Sequence, residues 1–270
     1  MRNLFFGLLC CSFIFSCSAP DKSEQLIVNA DFKPIEVDLE DLFAAGQFPE
    51  DTLITIEHDE FFKQKKRYKA YPLAPILKPL LAKIKDTTNL RVTFTCTDGY
   101  APNMNLNKVL SHEAYLAVQD LDQAGLDKDW ADSLATKFKP FYLVWRDAAE
   151  GDAGFAWPYG LAEIRIASFF HDFAEAFPLH NTSAQKGFQL FQIHCMKCHS
   201  INKIGGVMGP EFNYPKSITE YWKKEDMFNF MRNPQSYRYS AKMPAVGLSR
   251  GEFEEIYGYL VEMKGVKSEK

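Results

Sequence analysis

Apolar positions along this chain switch between two periods. Near the C-terminus Phe253, Ile256, Tyr257 and Leu260 recur at i, i+3, i+4 and i+7, the stripe of an amphipathic helix. Leu248-Ser249-Arg250-Gly251-Glu252 opens it with a capping-box pattern, Ser249 serving as cap. Thr182-Ser183-Ala184-Gln185 starts an earlier helix in the same way, and Trp222 to Arg232 reads as a third, stopped by Asn233-Pro234. Leu73, Ile76, Leu77, Leu80, Leu81 and Ile84 form another helical stripe; Pro75 suits its first turn, and Pro79 is expected to strain or divide it. Strand-like runs fall only in the first two-thirds, at Leu53 to Ile56, Arg91 to Thr95, Phe141 to Trp145 and Ala162 to Ile166. Strands mixed with short helices, without a regular βαβ repeat, predict an α+β fold there.

One apolar run stands apart. Leu4 to Phe15 follows a single basic residue, Arg2, and is too short to cross a bilayer, which takes about 20 residues. A positive start, an apolar stretch and then small residues make a secretory signal. Ile14-Phe15-Ser16-Cys17 resembles a bacterial lipoprotein cleavage box, although Phe15 fits it poorly. That resemblance implies a signal peptide over 1–16, an acylated Cys17 and a polar tether over 17–25. Cleavage nearby without lipid is the alternative. The expected product is exported and held on the membrane by its N-terminal lipid, facing the periplasm of a Gram-negative-type bacterium.

Composition narrows the rest. Of 270 residues 46% are hydrophobic and 24% charged, enough apolar mass for a packed core and too much for a disordered chain. The net charge of −4 argues against nucleic acid as a partner. Charge is uneven: from 181 onward 13 Lys/Arg face 9 Asp/Glu, and from 17 to 180 the counts are 17 and 26. Such asymmetry supports a boundary, with Phe177 to Thr182 as linker, an α+β domain over 26–180 and a second domain over 181–270.

The cysteines carry the chemistry. Cys10 and Cys11 leave with the signal and Cys17 takes lipid, so Cys96 and the close pair Cys195/Cys198 remain. A disulfide framework is not the organising principle. His194-Cys195-Met196-Lys197-Cys198-His199 contains Cys-x-x-Cys-His, the attachment pattern of a c-type haem. Two thiols three positions apart sit on one helical turn, within reach of the two vinyl groups, and His199 follows as an iron ligand. A structural zinc site needs a second Cys/His pair, and none follows. One haem c is therefore expected.

For the opposite face of the iron, Met243 in Lys242-Met243-Pro244 is the candidate. A thioether opposite histidine favours ferrous iron and raises the potential. Met208 and His194 lie too close to the attachment segment to cross the ring. Met196, Met227, Met231 and Met263 read as packing residues.

With these residues in hand, the stretch from about Thr182 to Lys264 resembles a class I cytochrome c. Gly187-x-x-Leu190-Phe191 precedes the attachment motif; Gly209-Pro210, Asn233-Pro234 and Met243-Pro244 follow it, then a last helix with Ile256, Tyr259 and Leu260. The resemblance implies an all-α domain. It also implies Gly187 packed against Tyr259 where first and last helices cross, and the Pro210 carbonyl accepting a hydrogen bond from His199. A carrier of single electrons between an unidentified protein donor and acceptor is the function so implied. Lys203 and Lys242 are candidates for an electropositive rim.

The first domain carries a weaker resemblance. Tyr68 to Leu77, Val92 to Tyr100, Pro140 to Trp145 and Trp157-Pro158-Tyr159 are similar to the oxidoreductase molybdopterin-binding domain of the sulfite-oxidase type. It implies Cys96 as a molybdenum ligand, and hence a haem-containing molybdenum oxidoreductase as the rival reading. Asp98-Gly99-Tyr100 stands where the full enzymes carry a Gly-Asn-Arg-like run, so phosphate-binding chemistry is missing. A degenerate fold used for docking or packing is the expected outcome. A third reading makes this domain a small-ligand sensor acting on the haem. His58, His112, His171 and His180 are scattered, and Glu57, Asp59 and Glu60 against Lys63, Lys65, Lys66 and Arg67 read as a polar turn region.

Overall fold

The computed structural model describes residues 29, 31–122 and 136–266. The signal segment, the cleavage box, Cys17 and the tether lie outside these residues.

The N-terminal part is an eight-stranded antiparallel sheet. Its elements run β1 (Ile35–Asp38), α1 (Leu39–Ala44), β2 (Thr52–Asp59), β3 (Gln64–Pro72), α2 (Leu73–Leu80), β4 (Leu90–Cys96), β5 (Asn103–Asn105), α3 (Leu106–Ser111), β6 (Ala114–Asp120), β7 (Phe141–Trp145), β8 (Tyr159–Ser168) and α4 (Phe169–Phe173). Strand order is β2-β3-β6-β7-β8-β4-β5, with β1 also paired to β8. The four strand-like runs all lie in strands. β7 is buried at every position: Phe141, Leu143 and Trp145 join a large core with α2, β4 and β8, while Tyr142 and Val144 join a smaller one on the opposite face.

Pro79 does not divide α2. It sits one residue from the helix end, and Leu81 closes the turn by donating to the Leu77 and Lys78 carbonyls. The missing proline N–H therefore removes a bond only where the helix stops anyway.

The charged β2–β3 hairpin departs from expectation. Lys65 pairs with Glu57 on the surface at 2.9 Å. Asp59, however, is 1% exposed and accepts from the Tyr68 and Tyr142 hydroxyls at 2.7 and 3.2 Å and from the amides of Phe61 and Phe62. Lys66 is 4% exposed and paired with the buried Asp120 at 2.5 Å. These two are not turn decoration: a buried charge survives only with such partners.

The C-terminal part contains α5 (Thr182–His194), β9 (Ser200–Ile201), β10 (Ile204–Gly205), α6 (Ile218–Tyr221), α7 (Lys224–Arg232), α8 (Pro234–Tyr237) and α9 (Arg250–Lys264). It is helical, with one two-residue hairpin (β9–β10) that an all-α reading omits. Ser249 caps α9 in a full capping box with Glu252. The cap of α5 is shifted by one residue from the expected one. Asn181 accepts from the Ala184 amide at 3.2 Å, and Gln185 donates back to the Pro178 and Leu179 carbonyls. The helix expected from Trp222 starts at Lys224, because Trp222 terminates α6 in an extended conformation.

The C-terminal core reaches back past the expected linker. Phe169, Phe173 and Phe177 surround Phe188 of α5 with ring centroids 5.9, 6.5 and 5.2 Å away. Tyr259 of α9 donates its hydroxyl to the Ala176 carbonyl at 2.7 Å. The segment around α4 therefore belongs by packing to the helices, although it leaves directly from β8 of the sheet.

Candidate functional site

The site grows from the end of α5. Phe191 is buried in the core, which fixes the last turn of the helix. The amides of Cys195 and Met196 both donate to its carbonyl at 2.8 Å. One further turn follows, with Cys198 and His199 N–H on the Cys195 carbonyl at 3.0 and 2.9 Å. Cys195 and Cys198 are both free thiols, raised above their ordinary pKa by burial, Cys195 to about 12.

His199 is held from several directions. Its Nδ1–H donates to the Pro210 carbonyl at 2.8 Å, which leaves Nε2 as the lone-pair nitrogen. Phe212 lies against the ring at 4.4 Å between centroids. Gly209 passes so close that a Cβ there would sit 2.4 Å from Cε1 of the imidazole. Burial lowers the ring's pKa, with the Pro210 bond opposing it, so the neutral form that binds metals is favoured.

The neighbouring backbone is packed just as closely. A Cβ on Gly205, at φ +125°, would meet the His199 carbonyl at 2.4 Å, and one on Gly206 would meet the Lys197 carbonyl at 2.3 Å. Sequence reading used Gly209 but passed over this pair; a Gly-Gly dipeptide six residues after the motif was the available signal. Asn202 and Asn213 were also missed. Both are buried, joined by a 2.8 Å bond, and they reach the carbonyls of Glu175, Val266 and Met263. Glu211 accepts from the amides of Asn202, Lys203 and Asn213. Together these side chains tie the β9–β10 hairpin to the end of α9.

Gly187 lies where α5 crosses α9. A Cβ there would meet the Glu255 carbonyl at 2.1 Å and Tyr259 Cβ at 2.7 Å, with Phe191 and Ile256 buried alongside. Met243 is half-buried against the same core that contains Cys195 and Met196, and its carbonyl is held by Gln235 at 3.1 Å. Of the other sulfurs, Met196, Met227, Met231 and Met263 are buried in that core, while Met208 is exposed. Lys203 and Lys242 are exposed.

The sheet touches this site directly. Asp98 to Ala101 connect β4 to β5 and lie on the attachment segment, with Val207 N–H on the Gly99 carbonyl at 3.0 Å. Tyr100 sits beside both Cys96 and Cys198, and burial raises its hydroxyl pKa.

Cys96 itself does not fit a molybdenum ligand. A metal-binding thiolate needs a partly open, electropositive setting. Cys96 is 4% exposed in the large apolar core, and both burial and Asp98 hold it as a thiol. Three of the scattered histidines sit in small polar contacts, His112 on Asp147 at 3.0 Å, His171 on Asp172 at 3.1 Å and His58 near Glu150 at 3.6 Å, and His180 is exposed.

Comparison with known proteins agrees on the C-terminal region. Residues 182–260 match the family model described as cytochrome C oxidase, cbb3-type, subunit III. The match covers less than a third of the chain and supports a C-terminal cytochrome c domain, with haem c as its group and electron transfer as its class of activity. No solved structure matches the chain.

Proposed function

We propose that the chain is an exported, lipid-tethered cytochrome carrying single electrons through one covalent haem. The observation that carries this reading is the fixed imidazole of His199, Nδ1 bound to Pro210 at 2.8 Å, directly beside Cys195 and Cys198. The residues fit the group: two thiols on one turn, a neutral histidine with Nε2 available and a sulfur on a separate loop. Haem c, when bound, supplies an iron that takes up and returns one electron at a time. Cys195 and Cys198 would anchor it through thioethers. Pro210 fixes the tautomer and orientation of His199, which would hold the iron, and Met243 would supply a soft sulfur ligand. Glycine at 205, 206 and 209 lets the backbone close over the attachment turn. Tyr100 lies on the Cys198 side.

Anchoring rests on the sequence of the first 17 residues. Acylated Cys17 holds the chain at a membrane and the polar tether lets it reach protein partners on the periplasmic side. The N-terminal sheet serves as the platform that docks on the attachment segment. No helix among the described residues is long and apolar enough to cross a membrane.

The test is isolation of full-length protein from the envelope of a host that matures c-type cytochromes. Elemental analysis, the reduced optical spectrum and peptide mass mapping are then read together. Iron alone, one haem on the Cys195–Cys198 peptide and a lipid on Cys17 are expected. Colourless protein with both thiols unmodified overturns the haem reading, and molybdenum equimolar with iron returns the enzyme reading.

A further inference from the structure

A cavity of about 200 Å³ lies between the sheet and the helical region. Its polar walls come from both: Arg91, Asn103 and Lys108 on one side, Gln192 and Lys197 on the other. Arg91 is the second residue of β4. Its side chain leaves the face opposite that of Val92, Phe94 and Cys96, as the strand's alternating burial requires. The cavity lies at the β5 edge of the sheet, where Met104 and Phe155 of the core that contains Cys96 also line it.

Three basic residues, Arg91, Lys108 and Lys197, line this cavity, and no carboxylate is among its lining residues. The Arg91 guanidinium gives Nε and Nη2 to one neutral acceptor, Asn103 Oδ1, at 3.2 and 2.5 Å. Burial alone pulls its pKa down to about 10. The Lys108 ammonium donates to the Gly154 carbonyl at 2.9 Å and lies 3.7 Å over the Phe155 ring, both neutral partners. Among the described residues Arg91, Lys108 and Lys197 make no ion pair with a carboxylate. The nearby Asp152 is exposed and its Oδ1 is taken by the Gly154 amide at 2.8 Å. Gln192 adds a buried Nε2 with no hydrogen-bond partner.

Elsewhere the chain treats buried or half-buried cations differently. Lys66 has Asp120, and Arg165 has Glu36 and Asp172. A guanidinium removed from water without a counter-charge is costly, and a planar fork with flanking ammonium groups matches the geometry of an oxyanion. We propose that this cavity binds one small oxyanion, of the sulfate, phosphate or carboxylate type, between Arg91, Lys108, Lys197 and the Gln192 amide.

The ligand would bridge the sheet to the helix that ends in the haem segment. Lys197 stands between Cys195 and Cys198, so a bound anion adds negative charge near the attachment turn. On the haem reading above, it lowers the reduction potential and, by linkage, binds the oxidised protein more tightly.

Isothermal titration of full-length exported protein with sulfate, phosphate and acetate, at ionic strength held by sodium chloride, tests the site. Saturable binding at one site is expected, strongest for the dianions. Arg91→Gln weakens it by roughly tenfold or more, the loss of a charge-assisted fork. Lys108→Gln, at the half-buried Lys108 of α3, provides a second variant should Arg91→Gln fold poorly. Absence of saturable heat with all three anions, or equal affinity in wild type and Lys108→Gln together with Arg91→Gln, overturns the proposal. The titration needs no colour. A colourless protein that binds sulfate overturns the haem reading and keeps the site; a haem protein that binds none does the reverse.

Discussion

The Ala101 amide donates to the Lys197 carbonyl at 2.8 Å. Ala101 follows the last residues of β4, and Lys197 lies between the two attachment cysteines. This backbone bond joins the sheet to the segment that carries the chemistry. The neighbouring bond from Val207 to Gly99 runs in the opposite donor sense, so the two segments grip each other as a short ladder would.

Gly99 makes that grip possible. It sits at φ +85°, and a Cβ there would lie 2.7 Å from Val207 Cγ2 and 3.3 Å from the Met208 amide. Gly99→Val is expected to lose about 1–3 kcal/mol of stability from strain and crowding. Hydrogen exchange should accelerate at Ala101 and Val207 before it changes in β7. Unchanged exchange at both amides would show that the contact is dispensable.

The α5–α9 crossing is the tightest in the helical part. Gly187→Ala places a methyl 2.1 Å from a backbone oxygen, and neither helix has a flexible side chain there to yield. A loss of about 2–3 kcal/mol in urea unfolding is expected. A variant as stable as wild type would mean the helices separate at no cost.

Met243→Ala tests the ligand loop. The reduced optical spectrum should lose its methionine-ligated low-spin features and the midpoint potential should fall, because the soft sulfur is gone. The far-ultraviolet dichroism should stay as in wild type, since Met243 is only half-buried. Retention of the low-spin spectrum assigns the position to another sulfur.

Cys96 should be inert in the native protein. Burial first, and then Asp98, raise its pKa far above the ordinary thiol value, so almost no thiolate exists at pH 8. Iodoacetamide should leave it unmodified in buffer and alkylate it fully in guanidinium. Rapid native alkylation at pH 8 would contradict this and reopen a role as a metal ligand.

Much of the candidate site was legible because its chemistry is local. Cys195, Cys198 and His199 are contiguous, and Gly209-Pro210 follows at short range. Strands and helices were legible where one period dominated, as in β4 and α9. Errors fell where side chains outside the pattern competed. Asn181, a better acceptor position than Thr182, took the cap of α5, and the isolated turn of α6 absorbed Trp222. Asp59 and Lys66 looked like surface charges since their partners, Tyr142 and Asp120, arrive from strands over 50 residues away.

The sequence by itself determined the reactive segment, the helix that presents it and the amphipathic strand and helix faces, since each follows from residues within a few turns of one another. Only the tertiary structure decided that α4 packs with the helices, that Gly99 and Tyr100 lie on the cysteine segment, and that Arg91, Lys108 and Lys197 line one cavity. Those juxtapositions join segments tens of residues apart through sheet register and close backbone approach, and no local period encodes which distant neighbour a residue will meet.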